Sequence, residues 1–136
     1  TVKKNISLKG FQLKKENKFS IIKRARSFNH AARGLSIVLR TQPNIIIHIL
    51  SSFIVLILGF FYQISHTEWM MLVFAIGIVL AAEAFNTSIE IDIDLTSPDY
   101  HPYARDTKDV AAGAVLITAI TALAVGLIIF VPKMFI

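Results

Sequence analysis

Long, nearly uninterrupted apolar runs constrain the fold of this chain more than any other feature. The first extends from Ile45 to Phe61, the second begins at Trp69, and the third runs from about Val110 to Val131. About 20 apolar residues rising 1.5 Å each span the roughly 30 Å hydrocarbon core of a bilayer. Because 54% of the 136 residues are hydrophobic, the chain is too apolar for an ordinary soluble domain of this size. The sequence therefore predicts an all-α membrane protein with transmembrane helices over about 44–62, 68–92 and 107–131.

A basic segment precedes the first apolar run. Residues 1–19 are polar and without clear periodicity, which predicts a flexible tail, and residues 20–136 are predicted to form a single membrane domain. Over residues 20–41 the apolar side chains recur at steps of three or four, with basic side chains on the other faces. This pattern predicts an amphipathic helix lying on the membrane surface, although a core-facing helix of a soluble bundle has the same periodicity. Pro43 then favours a helix break and a new first turn.

The distribution of charge predicts the orientation. Most of the 14 lysines and arginines precede the first apolar run, so by the positive-inside rule the amino terminus faces the cytoplasm. The connection at 62–68 is then outside and the loop at 95–107 is inside. No basic motif interleaved with aromatic residues is present, so no nucleic-acid partner is expected. The absence of cysteine excludes disulfides and thiolate metal sites.

The end of the second apolar run carries polar side chains in the stretch AAEAFNTSIEIDID. Glu83, Asn86, Glu90 and Asp94 follow one another at steps of three, four and four, which on a helix places them within an arc of roughly 80°. Asp92 falls on the opposite side and is predicted to be solvated. A carboxylate that merely ends a span explains Asp94 well but Glu83 poorly, because an ionised group near the bilayer centre costs about 2.5–3.5 kcal/mol. The stripe therefore predicts a functional site, in which Glu90 and Asp94, nearer water, could hold a divalent cation.

Polar residues also mark the start of the third span. Asp106 is predicted to cap its helix, with Lys108 and Asp109 in the first turn, where the helix dipole favours anions. Lys108 could pair with a phosphate, although an ordinary interfacial lysine is the commoner role. No glycine-rich phosphate loop is present, so a nucleotide would be held by metal-bound phosphates and a few polar side chains. His48, in the first turns of the first span, is predicted to be an interfacial histidine rather than a ligand.

Two non-enzymatic classes of protein share parts of this pattern. A small membrane pore or ion-transport protein also places carboxylates on one membrane helix, but here the acidic stripe is confined to one end of the span. A membrane scaffold that binds anionic lipid through its basic segment leaves Glu83 and Asn86 unexplained.

Three segments resemble the small bacterial membrane lipid kinases, the prokaryotic diacylglycerol kinase and undecaprenol kinase family. They are EAFNTSIEIDID (Glu83–Asp94), DYHP (Asp99–Pro102) and KDVAAGAVL (Lys108–Leu116), and the resemblance covers about residues 20–132. It implies phosphorylation of a membrane lipid alcohol, undecaprenol or diacylglycerol, with ATP as co-substrate and Mg²⁺ as cofactor. It also implies a homotrimer with active sites shared between chains, in the bacterial inner membrane with the active site facing the cytoplasm.

The resemblance also implies roles for individual residues. Glu83 matches the catalytic base and Glu90 a magnesium ligand. The residues that match the lipid site are Lys23, Glu83 and Asn86. The residues that match the nucleotide site are His30, Glu90, Asp94, Asp99, Tyr100, His101, Lys108 and Asp109.

Gln42 departs from the family pattern, because it stands where the family often has a second metal-binding glutamate. Glutamine can coordinate Mg²⁺ only through a neutral carbonyl oxygen, which weakens the site electrostatically. We therefore expect a raised magnesium requirement. The segments around NTSIE, YHP and AAGAVL are more similar to the undecaprenol kinase branch than to the diacylglycerol kinase branch.

Overall fold

The computed structural model describes the backbone of residues 21–135 and the side chains of residues 24–135. It contains four helices: α1 (Ile21–Thr41), α2 (Pro43–Phe61), α3 (His66–Thr96) and α4 (Pro102–Met134). The prediction of an all-α chain is confirmed for these residues, whereas the basic tail predicted at 1–19 lies outside them. The chain divides into two units, one ending at Ala32 and the other beginning at Arg33.

Three of these helices are long and apolar enough to cross a membrane, namely α2, α3 and α4. Their large apolar side chains point outward along most of their length, as in Phe53, Phe74 and Leu123. Such a continuous apolar surface suits contact with lipid rather than water. The prediction of three helices that are long and apolar enough to span a membrane is confirmed, and α3, the most buried of the three, packs against both α2 and α4.

The junction of α1 and α2 forms at Pro43, the first residue of α2. Gln42 is the N-cap residue and adopts extended backbone angles, φ −114° and ψ 102°, as expected for the residue before a proline. Its backbone N–H donates to the Val38 carbonyl at 3.0 Å, and its side chain makes no capping hydrogen bond. The Gln42 amide group is therefore available for a contact elsewhere.

The turn between α2 and α3 is fixed by hydrogen bonds at both helix ends. The Ile64 N–H donates to the Gly59 carbonyl and the Gln63 N–H to the Phe60 carbonyl, while Gln63 has a positive φ of 48°. This pattern is a Schellman motif, which closes the end of α2. At the start of α3, Ser65 and Glu68 form a reciprocal capping box.

The apolar core lies at this same end of the molecule. Ile64, Leu72, Ile129 and Phe130 form a buried cluster, against which residues of α2, α3 and α4 pack. Lys133 near the end of α4 lies 3.1 Å from Glu68 at the start of α3. These contacts hold the three spans together at one end, while the polar residues of α3 lie near its opposite end.

Helix α4 begins earlier than the sequence indicated. His101 is its N-cap residue, and the His101 Nδ1 accepts a hydrogen bond from the Tyr103 N–H at 3.3 Å. The prediction that Asp106 caps this helix is therefore wrong, because Pro102 already occupies the first helical position. Lys108 and Asp109 lie in the second turn of α4 rather than the first. Their backbone N–H groups are therefore not among the unpaired N–H groups at the start of the helix.

Candidate active site

Glu83 is a buried carboxylate near the end of the longest apolar stretch of α3. Only 2% of the residue is exposed. Its Oε1 lies 3.1 Å from Nε2 of His48, which projects from α2. One turn further along α3, the buried Thr87 hydroxyl donates to the Glu83 carbonyl at 2.8 Å. Since a buried carboxylate is costly without partners, the His48 contact provides part of the stabilisation that this group needs.

A second polar cluster begins one turn further along the same helix face. The Asn86 Nδ2 donates to Glu90 Oε1 at 2.9 Å, and the Gln42 Nε2 donates to Glu90 Oε2. Asn86 is buried, and its Oδ1 has no hydrogen-bond partner among the described residues. A buried acceptor without a partner is unusual and costs free energy, so it marks a position where a ligand could be recognised.

The outermost residue of this polar helix face, Asp94, lies at the surface. Asp94 Oδ1 is 2.5 Å from the Lys108 Nζ of α4, and this ion pair is partly exposed. Asp92 is exposed on α3, and its side chain makes no hydrogen bond or ion pair in the described part of the chain. Exposure thus increases from Glu83 through Glu90 to Asp94 along a distance of about 16 Å, at 1.5 Å per residue.

The remaining predicted nucleotide-site residues of unit 33–136 lie on the α3–α4 loop and the start of α4. Asp99, Tyr100 and His101 are exposed, and the His101 ring contacts Tyr103 with the ring centroids 5.6 Å apart. Asp109 is also exposed and pairs with Arg105 at 3.6 Å. Asp99, Tyr100 and His101 lie between Asp94 and Lys108 in the sequence, and Asp109 directly follows Lys108. Within the described residues, none of the four has a recorded hydrogen bond or ion pair with Glu83.

Two predicted site residues lie on α1. His30 is exposed on α1, in the unit that ends at Ala32. Lys23 belongs to the same helix, and its side chain lies outside the described part of the structure. The roles of both residues therefore stay predictions.

His48 is the site residue that the sequence reasoning missed, since an interfacial position was predicted for it. The available signal was an ionisable side chain inside the run IIIHIL, because such residues within membrane spans usually face a partner or a site. His48 also lines an apolar groove of about 430 Å³ between α2, α3 and α4. The groove extends from His48 past Leu72 and Ala122 toward Phe130 and Met134.

The donor set around Glu90 fits a metal ion that is shared with a substrate. Among the described residues, no group of three or more His, Cys, Asp or Glu side chains could hold a metal ion. Glu90 supplies one carboxylate, and rotation of the Gln42 amide would present its carbonyl oxygen to the same point. Mg²⁺ is commonly held by one or two carboxylates together with substrate phosphates, so this sparse set is compatible with it.

The fold and the site together define a multi-pass helical membrane protein with a buried acidic centre near one end of its spans. The family model of prokaryotic diacylglycerol kinase matches residues 29–130. The chain belongs to this family and is a lipid kinase, as the resemblance of its motifs predicted.

Individual relatives are named undecaprenol kinase or diacylglycerol kinase. The undecaprenol kinase of Bacillus subtilis is 41% identical over 109 residues, which are 80% of this chain and 89% of that protein. The diacylglycerol kinase of Synechocystis sp. is 34% identical over 109 residues, which are 79% of this chain and 62% of that protein. The diacylglycerol kinase of Helicobacter pylori is 38% identical over 50 residues, 37% of this chain and 39% of that protein.

Proposed function

We propose that this lipid kinase transfers the γ-phosphoryl group of ATP to the hydroxyl of undecaprenol, in a magnesium-dependent reaction at the cytoplasmic face of the membrane. The observation that carries the proposal is the polar face of α3. It joins a carboxylate buried at Glu83 to an exposed ion pair at Asp94 and Lys108. A lipid hydroxyl is confined to the membrane and a nucleotide to water, so a kinase that joins them needs polar groups at both depths.

The chemistry follows from this arrangement. The hydroxyl oxygen of the lipid attacks the γ-phosphorus, and the bond from that phosphorus to the bridging oxygen of the β-phosphate breaks. Glu83 accepts the hydroxyl proton as general base, and ADP leaves. Lys108 pairs with the phosphates in exchange for Asp94 and offsets their charge. The lipid hydroxyl has one hydrogen, so Asn86 Oδ1, which has no hydrogen-bond partner within the described residues, accepts it as the lipid arrives and before Glu83 removes it as a proton.

Glu90 and Gln42 are the residues proposed to hold Mg²⁺. The ion supplies neutralisation of the phosphate charge when bound. In the free protein both oxygens of Glu90 accept hydrogen bonds from amide groups, so this carboxylate is kept in place on α3. Asn86 and Gln42 therefore orient the Glu90 carboxylate before substrate arrives, which reduces the reorganisation that binding requires.

The apolar groove is proposed to hold the lipid tail. It begins at His48, which contacts Glu83, and it is lined almost wholly by apolar side chains of the three spans. A hydrocarbon tail in the groove would place the lipid hydroxyl at its polar end, beside the proposed base. Undecaprenol as the substrate is supported by the 41% identity to a relative named undecaprenol kinase, against 34% to one named diacylglycerol kinase.

Orientation and assembly are proposed from the distribution of charge, the family resemblance and the surface of α4. The carboxyl end of α3 and the start of α4 are placed in the cytoplasm because lysines and arginines concentrate before α2, whereas Lys133 is the only one after Lys108. A homotrimer with shared active sites is proposed from the family resemblance. A Cβ added at Gly113 would meet no atom within 4 Å. Gly113 and its alanine neighbours therefore offer a surface for close helix packing.

The proposal is tested with purified protein, labelled ATP, Mg²⁺ and an equimolar mixture of undecaprenol and diacylglycerol. Labelled undecaprenyl phosphate is expected to dominate the extracted lipid. Glu83→Gln is expected to lower turnover by about a hundredfold or more, as loss of a general base does, and to leave ATP binding intact. Asp92→Asn, which removes an exposed carboxylate from the same helix, is the matched control and should retain turnover. Normal turnover by Glu83→Gln would rule out Glu83 as the base.

A further inference from the structure

His48 is an ionisable side chain in the middle of apolar surroundings on α2. Its Nε2 lies 3.1 Å from Glu83 Oε1, and the exposed fractions of the two side chains are 24% and 3%. Within the described residues, His48 is the only basic side chain that contacts Glu83. The two residues belong to different spans, so their contact depends on how α2 packs against α3.

We propose that His48 is a positioning residue for phosphoryl transfer, which donates its Nε2–H to Glu83 and fixes the orientation of that carboxylate. This inference rests on the proposed function of Glu83 as general base. One oxygen, Oε1, is engaged by His48, while Oε2 makes no hydrogen bond within the described part of the chain. The contact therefore assigns the two oxygens separate tasks, because Oε1 is held by the protein and Oε2 is free to take the proton of the lipid hydroxyl.

Rotational freedom explains why such a partner is needed. A glutamate has three rotatable side-chain bonds, and a base contributes fully only when it is within hydrogen-bond reach of the proton that it removes. The neighbouring Asn86 donates to Glu90 rather than to Glu83, and Thr87 donates to the Glu83 backbone. Among the described side chains, the orientation of the Glu83 carboxylate therefore depends on His48.

The location of His48 connects this role to the lipid. The same imidazole that contacts Glu83 lines the end of the apolar groove. A hydrocarbon chain in the groove would contact the side of the ring and exclude water from the hydrogen bond. In such a low-dielectric environment the hydrogen bond is stronger than in water, so lipid binding would reinforce the orientation of the base.

Two variants of His48 test the inference, with kcat and the KM values for lipid and ATP as the main readouts. His48→Leu removes the N–H donor while it keeps a side chain of similar bulk, and it is expected to lower kcat by about 10- to 100-fold. Its KM for ATP should stay within about twofold of the wild type, because ATP is not bound by this hydrogen bond. His48→Gln places an amide N–H near the position of Nε2 and is expected to retain kcat within about fivefold.

His66→Leu is the matched control, since it removes an exposed histidine from the first turn of α3 at the opposite end. It should leave kcat unchanged. If His48→Leu fails to fold in detergent, His48→Asn takes its place, because its shorter amide cannot reach Glu83 and its kcat should fall below that of His48→Gln.

Two outcomes would overturn the role of His48. One is a normal kcat for His48→Leu, and the other is an equal loss of kcat in His48→Gln and in His48→Leu or its replacement His48→Asn. The Glu83→Gln variant separates this failure from that of the proposed function. An inactive Glu83→Gln beside a fully active His48→Leu overturns the positioning role alone, whereas a fully active Glu83→Gln overturns the base itself.

Discussion

Gln42 and Glu90, separated by 48 positions in the sequence, are joined by a hydrogen bond from the Gln42 side-chain amide to Glu90 Oε2. Pro43 makes this contact possible, because the break between α1 and α2 leaves Gln42 at an N-cap position without a capping role. The Gln42 amide is neutral, whereas the Glu90 carboxylate is an anion. It holds Glu90 in place without a cation, where two facing carboxylates would repel each other.

Gln42→Glu is therefore expected to lower the magnesium requirement of the kinase. The second carboxylate adds a charged oxygen ligand beside Glu90, so the apparent affinity for Mg²⁺ should increase by about tenfold, equivalent to about 1.4 kcal/mol. The measurement is initial rate against Mg²⁺ concentration at saturating ATP and lipid. Gln63→Glu, which adds the same charge in the distant α2–α3 turn, is the control and should leave the curve in place. An unchanged magnesium curve for Gln42→Glu would contradict a metal site at Glu90.

Lys108→Met should impair the use of ATP without much loss of stability. The pair with Asp94 is partly exposed and contributes about 1 kcal/mol or less to folding. Loss of the cation that faces the phosphates should lower kcat/KM for ATP by about 10- to 100-fold. Lys133→Met breaks the pair with Glu68 at the other end of the spans and should leave the kinetics with ATP unchanged. Steady-state kinetics with varied ATP would decide whether Lys108 acts on the phosphates of ATP or only in the ion pair with Asp94. An unchanged kcat/KM for ATP in Lys108→Met would contradict the first role.

The sequence was sufficient for those features that depend on local periodicity. The apolar runs placed all three spans, and the steps of three and four placed Glu83, Asn86 and Glu90 on one helix face. Asp92 fell on the opposite face and is exposed as predicted. These features follow from the 3.6-residue repeat and require no knowledge of the neighbouring helices.

Features that depend on packing between helices could not be predicted in this way. The His48–Glu83 and Gln42–Glu90 contacts join α2, or the residue before it, to α3, and no local pattern sets the register of two antiparallel spans. The start of α4 was misplaced for another reason. Hydropathy marks where a helix enters the membrane, whereas Pro102 begins this helix several residues earlier in a polar sequence.

Gly59→Ala should destabilise the end of the bundle opposite the active site. A Cβ at Gly59 would lie 2.8 Å from the Trp69 ring and 3.2 Å from Ile64 Cδ1, so the Trp69 ring would have to shift or α2 and α3 to separate. We expect a loss of about 1–3 kcal/mol, measured as a lower melting temperature in detergent. In Gly77→Ala the added carbon meets no atom within 4 Å, and this control should be neutral or slightly stabilising. Equal melting temperatures for the two variants would contradict the close contact with Trp69.

Ala122→Phe should impair the use of a long-chain lipid by filling the apolar groove. Ala122 lines the groove from α4, whereas Ala124 is exposed on the same helix and does not line it, so Ala124→Phe adds the same ring elsewhere. A phenyl ring occupies much of the width that a hydrocarbon tail needs, and we expect KM for undecaprenol to increase by about tenfold, a cost of about 1.4 kcal/mol. A short-chain prenol, which need not extend past the polar end of the groove, should be phosphorylated by both variants at similar rates. Kinetics with the two alcohols would therefore test the groove as the tail site, and equal KM values for undecaprenol in the two variants would place the tail elsewhere.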